Sequence, residues 1–438
     1  MSAAALDRTI RLLGGDLFPT LSPECLIEEM SSTRVQFLAD ADSLASPAAQ
    51  TALVASFVCL AQLGFELHLQ LPDVEVQGPQ PPLEGERLLP TLLELGEDLI
   101  VPPLVASGEP VDVVIAIGNT PVSERESAAS PVFRLGGEAW RGAVGMGADA
   151  RVKPFDSSLP FGAVLASVAA AAEVLRAICR RIAARHCVAV ATEFDLTEPR
   201  PLALSLPPLD LLGGLDLGSF DIVSAGAITN GCAFNLLRVS RLRGRARVFD
   251  ADRSEESNLN RYPLTRRSQL GEEKVKSLAS AAKGDLVIEP VAERLTESLA
   301  RRLGLRRRVL VGVDHVPSRW IVQRFCPEWL CVAGTTHFTV LISEHASGTP
   351  CAGCLHPRDD AGGPAELPTI SFVSLLAGTL QAHRLLAHAS GLPAAPPLLA
   401  AGFNLGSPEA LAKIGLAANP SCPVGCVASM HTSRCAVA

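Results

Sequence analysis

Between Phe220 and Asp250 the periodicity of the chain switches twice, and this limits the possible folds more than any other stretch. A short apolar run, Phe220-Asp-Ile-Val223, enters the small-residue turn Ser224-Ala-Gly226-Ala-Ile-Thr229-Asn-Gly231. Apolar residues then recur at helical spacing (Ala233, Leu236, Leu237, Val239) before a second run, Ala246-Arg-Val-Phe249, closes on Asp250. Strand, helix, strand at this spacing means two parallel strands joined by a helical crossover, because parallel neighbours cannot be joined by a tight turn. Such a unit aims a helix N-terminus, with its unpaired backbone N–H groups, at the turn, where phosphate binds. It also places a carboxylate at the end of the second strand, within reach of ribose hydroxyls. Ser224 and Thr229 stand where a dinucleotide fingerprint has glycines, so a nicotinamide dehydrogenase is disfavoured.

The residues after this unit bear on its chemistry. Asp250-Ala-Asp252-Arg-Ser-Glu-Glu-Ser-Asn258-Leu-Asn-Arg261 is followed by Gly271-Glu-Glu-Lys274-Val-Lys276. An Asp after a strand is by itself an ordinary turn residue. Joined by an amide and two cations, it suits a reaction at a phosphate, where fixed cations stabilise developing negative charge. The run resembles the adenylation domain of the ThiF/MoeB and ubiquitin-activating enzyme family, whose pattern reads strand-Asp-x-Asp, Ser-Asn-Leu-x-Arg, Gly-x-x-Lys. The resemblance implies an α/β fold of two Rossmann-like halves, the second an active ThiF-type domain. It implies ATP at Ser224, Gly226, Asp250, Asp252, Asn258, Arg261, Lys274 and Asp314. Asp250 would hold ribose, Asp252 would lie near the triphosphate or metal, and Asn258 would orient the phosphates. Arg261, Lys274 and Asp314 would be catalytic, with Lys276 a possible competitor for the role of Lys274. Asp314 ends the apolar run Val309-Leu-Val-Gly-Val, where the family places an aspartate linked to Mg²⁺; His315 replaces the family's usual Asn. Arg319 and Arg324, in the helix that follows, match positions where the family often carries basic or polar residues, and read at least as well as an exposed helix face.

The N-terminal half reads strand, helix, strand from Val35 to Leu71, then a strand over Val111–Gly118 and a helix from about Pro160 to Ala184. It lacks the phosphate turn, the ribose carboxylate and the Ser-Asn-Leu-x-Arg run. It is therefore expected to be a degenerate nucleotide fold, residues 1–200, fused to an active half, residues 201–438. A weak internal symmetry supports this: Asp112–Gly118 parallels Val309–Asp314, and the Phe161 helix parallels the Phe372 helix. The proline-rich stretch 196–209 reads as the linker, since such a run of prolines cannot sit in a helix or a central strand. Leu6-Asp-Arg8-Thr-Ile-Arg-Leu-Leu-Gly14 reads as a short amphipathic helix. It also resembles the opening of the inactive half of eukaryotic ubiquitin-like-activating enzymes. That resemblance implies a catalytic role for Arg8 as an arginine finger reaching the phosphates across an interface.

Cys351-Ala-Gly-Cys354 and Cys422-Pro-Val-Gly-Cys426 offer four thiolates in turn-forming contexts, the pattern of a structural Zn²⁺ site. The alternative is four buried free thiols. Family members that form a thioester carry a cysteine after the first zinc pair, but no cysteine lies between Cys354 and Cys422. Segment 355–371 reads instead as a crossing loop over the active site. The leading thioester candidate is Cys435, in a polar tail, whereas Cys232, Cys326 and Cys331 read as core residues.

A net charge of −8 argues against nucleic acid, and no run of eighteen uncharged apolar residues favours a membrane span. The Ala-rich stretch from Phe161 reads as a buried helix. Asp7 and Arg8 interrupt any apolar leader, and cysteines gathered in close pairs fit a reducing cytoplasm better than disulfides. The family resemblance implies an enzyme that adenylates the C-terminal carboxylate of a ubiquitin-like protein and passes it to a thiol, its own or that of an E2-like conjugating enzyme. The bacterial Bil-type activating enzymes are the nearest suggested kin, which would imply antiviral defence. Homodimerisation stays open. Two other readings remain: a sulfur-carrier-activating adenylyltransferase, and a non-catalytic ThiF-like module that holds a peptide for a partner enzyme.

Overall fold

The computed structural model describes residues 3–105, 109–190, 196, 198–211, 213–358, 368–392, 398–402 and 412–426, with side chains of 3, 129, 398–402 and 412–414 left aside. Two sheets organise the chain. The first holds β1 (Arg34–Leu38), β2 (Glu66–Gln70), β3 (Leu104–Val105), β4 (Val113–Ile117), β5 (Val132–Glu138), β6 (Arg141–Met146) and β7 (Leu202–Ser205), in the order β3-β2-β1-β4-β5-β6-β7. The second holds β8 (Leu215–Val223), β9 (Leu242–Phe249), β10 (Leu286–Val291), β11 (Arg308–Val311), β12 (Trp329–Thr336), β13 (Thr339–Ala346), β14 (Leu398–Gly402) and β15 (Ala412–Ile414). Its order is β10-β9-β8-β11-β12-β13-β14-β15. In each sheet five parallel strands are followed by an antiparallel hairpin partner, β5–β6 and β12–β13.

The internal symmetry read from a pair of strands and a pair of helices thus extends to the order of seven strands in each sheet, the second adding β15 at its edge. In both halves the strand order reverses beside the first strand, between β1 and β4 and between β8 and β11, which opens a crevice at the strands' carboxyl ends. The strands form where apolar runs allow burial on both faces: Val113–Ile117 is buried throughout. Asp221, the polar intruder in β8, is fully buried and meets its register partner Arg247 on β9 through two hydrogen bonds of 2.9 and 2.8 Å. A buried carboxylate left unpaired would be costly, so this pair specifies the β8–β9 register.

The helices Phe161–His186 and Ser371–Ala389 run behind the two sheets and pack on one another. The first is long and apolar enough to cross a membrane, but 94% of its most apolar window is buried inside the protein. One hydrophobic cluster runs from Ala5 through both halves to Ala387, so the halves share a core. The seam is also polar: Asp98 accepts from Ser268 N at 2.7 Å, its carbonyl accepts from Arg267 N at 2.8 Å, and Ser371 Oγ donates to Cys59 O at 3.0 Å.

Part of the proline-rich stretch expected as linker is the edge strand β7, which pairs with β6 in the first sheet. An edge is where neighbouring prolines are tolerated. The first sheet therefore reaches Ser205, and the second begins at Leu215.

Candidate active site

The crevice outside β8, β9 and β11 is a cavity of about 490 Å³. β8 delivers Ser224, Gly226 and Ala227; β9 delivers Asp250 and Asp252; β11 delivers Gly312, Asp314 and His315. Every ATP and catalytic candidate among the described residues lines it: Arg8, Ser224, Gly226, Asp250, Asp252, Asn258, Arg261, Lys274 and Asp314.

The turn after β8 keeps its geometry without the expected glycines. Ser224 has φ +92°, a region where a side chain is strained and glycine is the usual occupant. Its hydroxyl accepts from Gly226 N at 2.9 Å, a local bond that helps hold the conformation. Gly226 is the N-cap of the Ala227–Leu236 helix, whose first residues face the cavity and leave N–H groups for an anion. Behind that helix lies Ser371–Ala389. The two approach so closely that a Cβ at Gly378 would lie 2.3 Å from Cys232 N. Asn235 Nδ2 also donates to Thr379 Oγ1 at 3.0 Å, so the helix that follows the turn is braced from the rear.

Asp250 ties turn and strand together: its Oδ2 accepts from Ala225 N at 2.7 Å and its Oδ1 from Asp252 N at 2.9 Å. Asp252 Oδ2 lies 3.0 Å from Lys274 Nζ, and its carbonyl accepts from Lys274 N at 3.0 Å. Burial pulls the Lys274 ammonium pKa down, but the Tyr262 hydroxyl, Asp250 and Asp252 outweigh it and the net shift is upward. Lys274 therefore stays charged in the neutral range. Asn258 is buried and accepts from Glu255 N at 3.0 Å, so its amide shapes the turn. Arg261 is buried too and donates to Ser257 O at 2.6 Å and to Asn260 Oδ1 at 2.7 Å. Lys276 is directed elsewhere, to Glu273 at 3.0 Å.

Arg8 comes from the Ala3–Leu12 helix, which buries Ala5, Leu6, Ile10 and Leu12 and packs against the Glu256–Asn258 turn. The N-terminal half thereby sends a guanidinium into the cavity of the second half within one chain. In the corresponding crevice of the first half, Arg134 is buried and donates to Gly118 O, Thr120 O and Ala148 O at 2.9, 2.7 and 2.7 Å. Thr120 Oγ1 accepts from Asp40 N at 3.1 Å across the two loops. These bonds tie the loops after β1, β4 and β6 to one another at the carboxyl ends of the first sheet's strands.

Several lining residues were not singled out from sequence: Arg253, Tyr262, Arg294, Thr335 and Ser374; Thr369, which also lines the cavity, lies in the segment expected to cross over it. Tyr262 directly follows Arg261 in the recognised run, the one signal that pointed to it. Its ring lies 5.4 Å from the Arg261 guanidinium and 5.9 Å from Lys274 Nζ. Thr335 and Thr369 come from separate elements, and only the tertiary fold unites them. Residues 359–367 of the expected crossing loop lie outside the described residues, as does Cys435. Cys232 and Cys331 are buried, but Cys326 is exposed: the Val316–Arg324 helix has ended before it, at φ +48°.

The second constellation is a cluster of sulfurs. Cys351 Sγ lies 3.3 Å from Cys422 Sγ and 4.0 Å from Cys354 Sγ, and Cys354 Sγ lies 3.1 Å from Cys426 Sγ. All four lie within 4.8 Å of one another. Disulfides would need about 2.05 Å, whereas tetrahedral Zn–S bonds of about 2.3 Å put sulfurs some 3.8 Å apart. The donor set fits Zn²⁺, and Asn419 N donates to Cys354 Sγ at 3.3 Å as an outer brace. Burial pushes the Cys422 thiol up, but N–H groups of Cys426 and Val424 and the neighbouring thiols bring it to about 7.

Residues 216–424 match the model of the ThiF family. The uncharacterized protein y4jF of Sinorhizobium fredii (strain NBRC 101917 / NGR234) is 33% identical over 262 residues, 57% of this chain and 48% of that protein. The adenylyltransferase and sulfurtransferase MOCS3-1 of Zea mays is 27% identical over 162 residues, 35% of each chain. The chain spans less than half the length of either relative. The E. coli MccB structure with ATP is 17% identical with a TM-score of 0.40, covering 47% of this chain and 65% of that one.

Proposed function

The chain carries a ThiF-family domain in residues 216–424, and from that premise we propose that it is an ATP-dependent adenylyltransferase acting on the C-terminal carboxylate of a ubiquitin-like protein. The supporting observation is that Arg8, Arg261, Lys274, Asp250 and Asp314 meet at one cavity. A peptide clamp without chemistry has no use for that set. In this reading Asp250 accepts from the ribose hydroxyls and the triphosphate lies over the N-terminus of the Ala227–Leu236 helix. The substrate carboxylate attacks the α-phosphorus while the bond to the pyrophosphate oxygen breaks, giving an acyl-adenylate and pyrophosphate. Arg8, Arg261 and Lys274 stabilise charge on the departing pyrophosphate, and removing one such fixed donor typically costs 10²–10³-fold in rate. Mg²⁺, held by Asp314 and the phosphates, would supply further charge neutralisation. The acyl group then passes to a thiol, with a C–S bond formed and AMP released; Cys435 or a conjugating enzyme supplies that thiol. Zn²⁺ on Cys351, Cys354, Cys422 and Cys426 would be structural.

We extend the reading to bacterial ubiquitin-like conjugation in antiviral defence, with an E2-like partner, on the resemblance of both halves to that class. Sulfur-carrier activation is the second reading, favoured by the Zea mays relative's name. The deciding experiment is ATP–pyrophosphate exchange with candidate ubiquitin-like proteins, comparing wild type with Asp314→Ala and Arg8→Ala. Exchange that requires the carrier's C-terminus and collapses in both variants is expected. Exchange that survives Arg8→Ala would remove the N-terminal half from the chemistry. No exchange by folded, zinc-loaded protein with any carrier would favour the peptide-holding module.

A further inference from the structure

Asp314 is exposed at the cavity wall, and its carboxylate accepts no hydrogen bond from the described residues, so its place is set by the backbone that carries it. That backbone is gripped from behind. Arg319, 6% exposed, donates from Nε and Nη2 to the carbonyl of Val313, the residue before Asp314, at 3.1 and 2.7 Å. Its remaining fork reaches the other way, from Nη1 to His356 Nε2 at 2.7 Å. Because a guanidinium only donates, His356 Nε2 is the acceptor. His356 lies two residues past Cys354, and its carbonyl accepts from Trp320 Nε1 at 2.9 Å. Two further bonds tie the same helix to the cysteine cluster: Ala352 N donates to Gln323 Oε1 at 3.1 Å, and Arg324 Nη2 to Pro423 O at 3.3 Å. The Val316–Arg324 helix therefore joins the four cysteines at one end to the Asp314 loop at the other.

We propose that Arg319 is a positioning residue that, through His356, makes the geometry of Asp314 depend on the four-cysteine centre. Burying a guanidinium without a carboxylate bonded to it is costly, and burial lowers its pKa while the charge of Asp314 opposes that shift. The cluster thus does more than pin the C-terminal segment. It holds the loop that, on the adenylation reading above, presents a carboxylate to Mg²⁺.

The test has two arms, both on the full zinc-loaded chain. Hydrogen exchange over residues 312–318 reads the coupling without nucleotide. Zinc chelation should speed it in wild type, whereas in Arg319→Gln it should already be fast and no longer respond to chelation. The second arm titrates Mg²⁺ against the affinity for a fluorescent ATP analogue. His356→Ala and Arg319→Gln should keep their zinc and melt near wild type. Each should require about tenfold more Mg²⁺, the lower end of what losing an outer-shell partner costs a metal site. His356→Gln, whose amide oxygen can accept from Arg319, should restore the wild-type requirement. Exchange at 312–318 that ignores zinc, or that responds identically in Arg319→Gln, would overturn the coupling. Loss of zinc in His356→Ala would reassign His356 to the metal centre and also overturn it. Wild type that binds no Mg²⁺–nucleotide would count against adenylation, leaving the exchange arm to decide the coupling.

Discussion

Replacing a glycine inside a helix by alanine ordinarily stabilises by about 1 kcal/mol, because alanine leaves the unfolded chain less backbone freedom to lose. At Gly378 we expect the opposite sign. A Cβ there would lie 2.3 Å from Cys232 N, 2.4 Å from Gly231 C and 2.5 Å from Ile228 O. All three are backbone atoms of the neighbouring helix, and no rotamer change relieves the clash. Restoring a normal separation of about 3.5 Å requires the helices to part by roughly 1 Å. Overpacking typically costs 1–3 kcal/mol, and rigid backbone on both sides places this site near about 3. Subtracting the usual gain of about 1 kcal/mol leaves Gly378→Ala destabilised by about 2 kcal/mol. At roughly 2–4 °C per kcal/mol for a sizeable domain, the melting temperature should fall by about 4–8 °C. The displaced helix begins at the phosphate turn, so ATP–pyrophosphate exchange should fall as well, a misplacement of 1 Å being worth up to about 10²-fold. Gly15→Ala is the matched control, since a Cβ there meets nothing within 4 Å. Thermal and urea unfolding of both variants would decide it. If Gly378→Ala is as stable as Gly15→Ala, the close helix contact does not brace the turn.

Two further outcomes follow from buried groups. Burial holds His345 and His383 down at about pKa 4, against about 6.5 in the unfolded chain. Well above pH 6.5 both are neutral in the folded and unfolded states and leave stability unchanged; as pH falls through 6.5 towards 4 the unfolded state binds the extra protons. Stability should therefore decline over that window, by about 3 kcal/mol per histidine at most, and His383→Gln should flatten the profile in pH-dependent urea unfolding. Cys351→Ser should lower the bound metal, measured by elemental analysis, from about one zinc per chain to well under half. Zinc retained at full stoichiometry would exclude the four-sulfur site.

The sequence made the second half legible because its signals are local. A strand-turn-helix-strand unit carries its anion site in its own short stretch, and Asp250, Asn258, Arg261 and Lys274 lie close together along the chain. The cysteine pairs were equally plain, since turns bring the members of each pair together before any tertiary contact forms. Reading failed where exposure depends on distant packing. Arg319 reads as an ordinary basic residue on a helix face, yet that face is covered by the turn bearing His356. Cys326 reads as an apolar residue near a helix, yet it falls just beyond the helix end and faces solvent. The 202–205 stretch reads as linker because the prolines on either side of it exclude a central strand, although they leave an edge strand available.

What the sequence determined by itself was chemistry and order: which side chains suit a nucleotide site, which thiols gather, and which half carries the recognised motifs. The tertiary structure alone decided adjacency. It repeated the strand order in both halves, ran one core across them and brought Arg8 into a cavity whose other walls lie more than two hundred residues away. It also set Arg134 among the loops of the first sheet and Arg319 between the Val313 carbonyl and His356. Hydrophobic periodicity specifies which face of an element is buried, but not which other element covers it; that is settled only when shapes and unpaired polar groups from the whole chain are satisfied together.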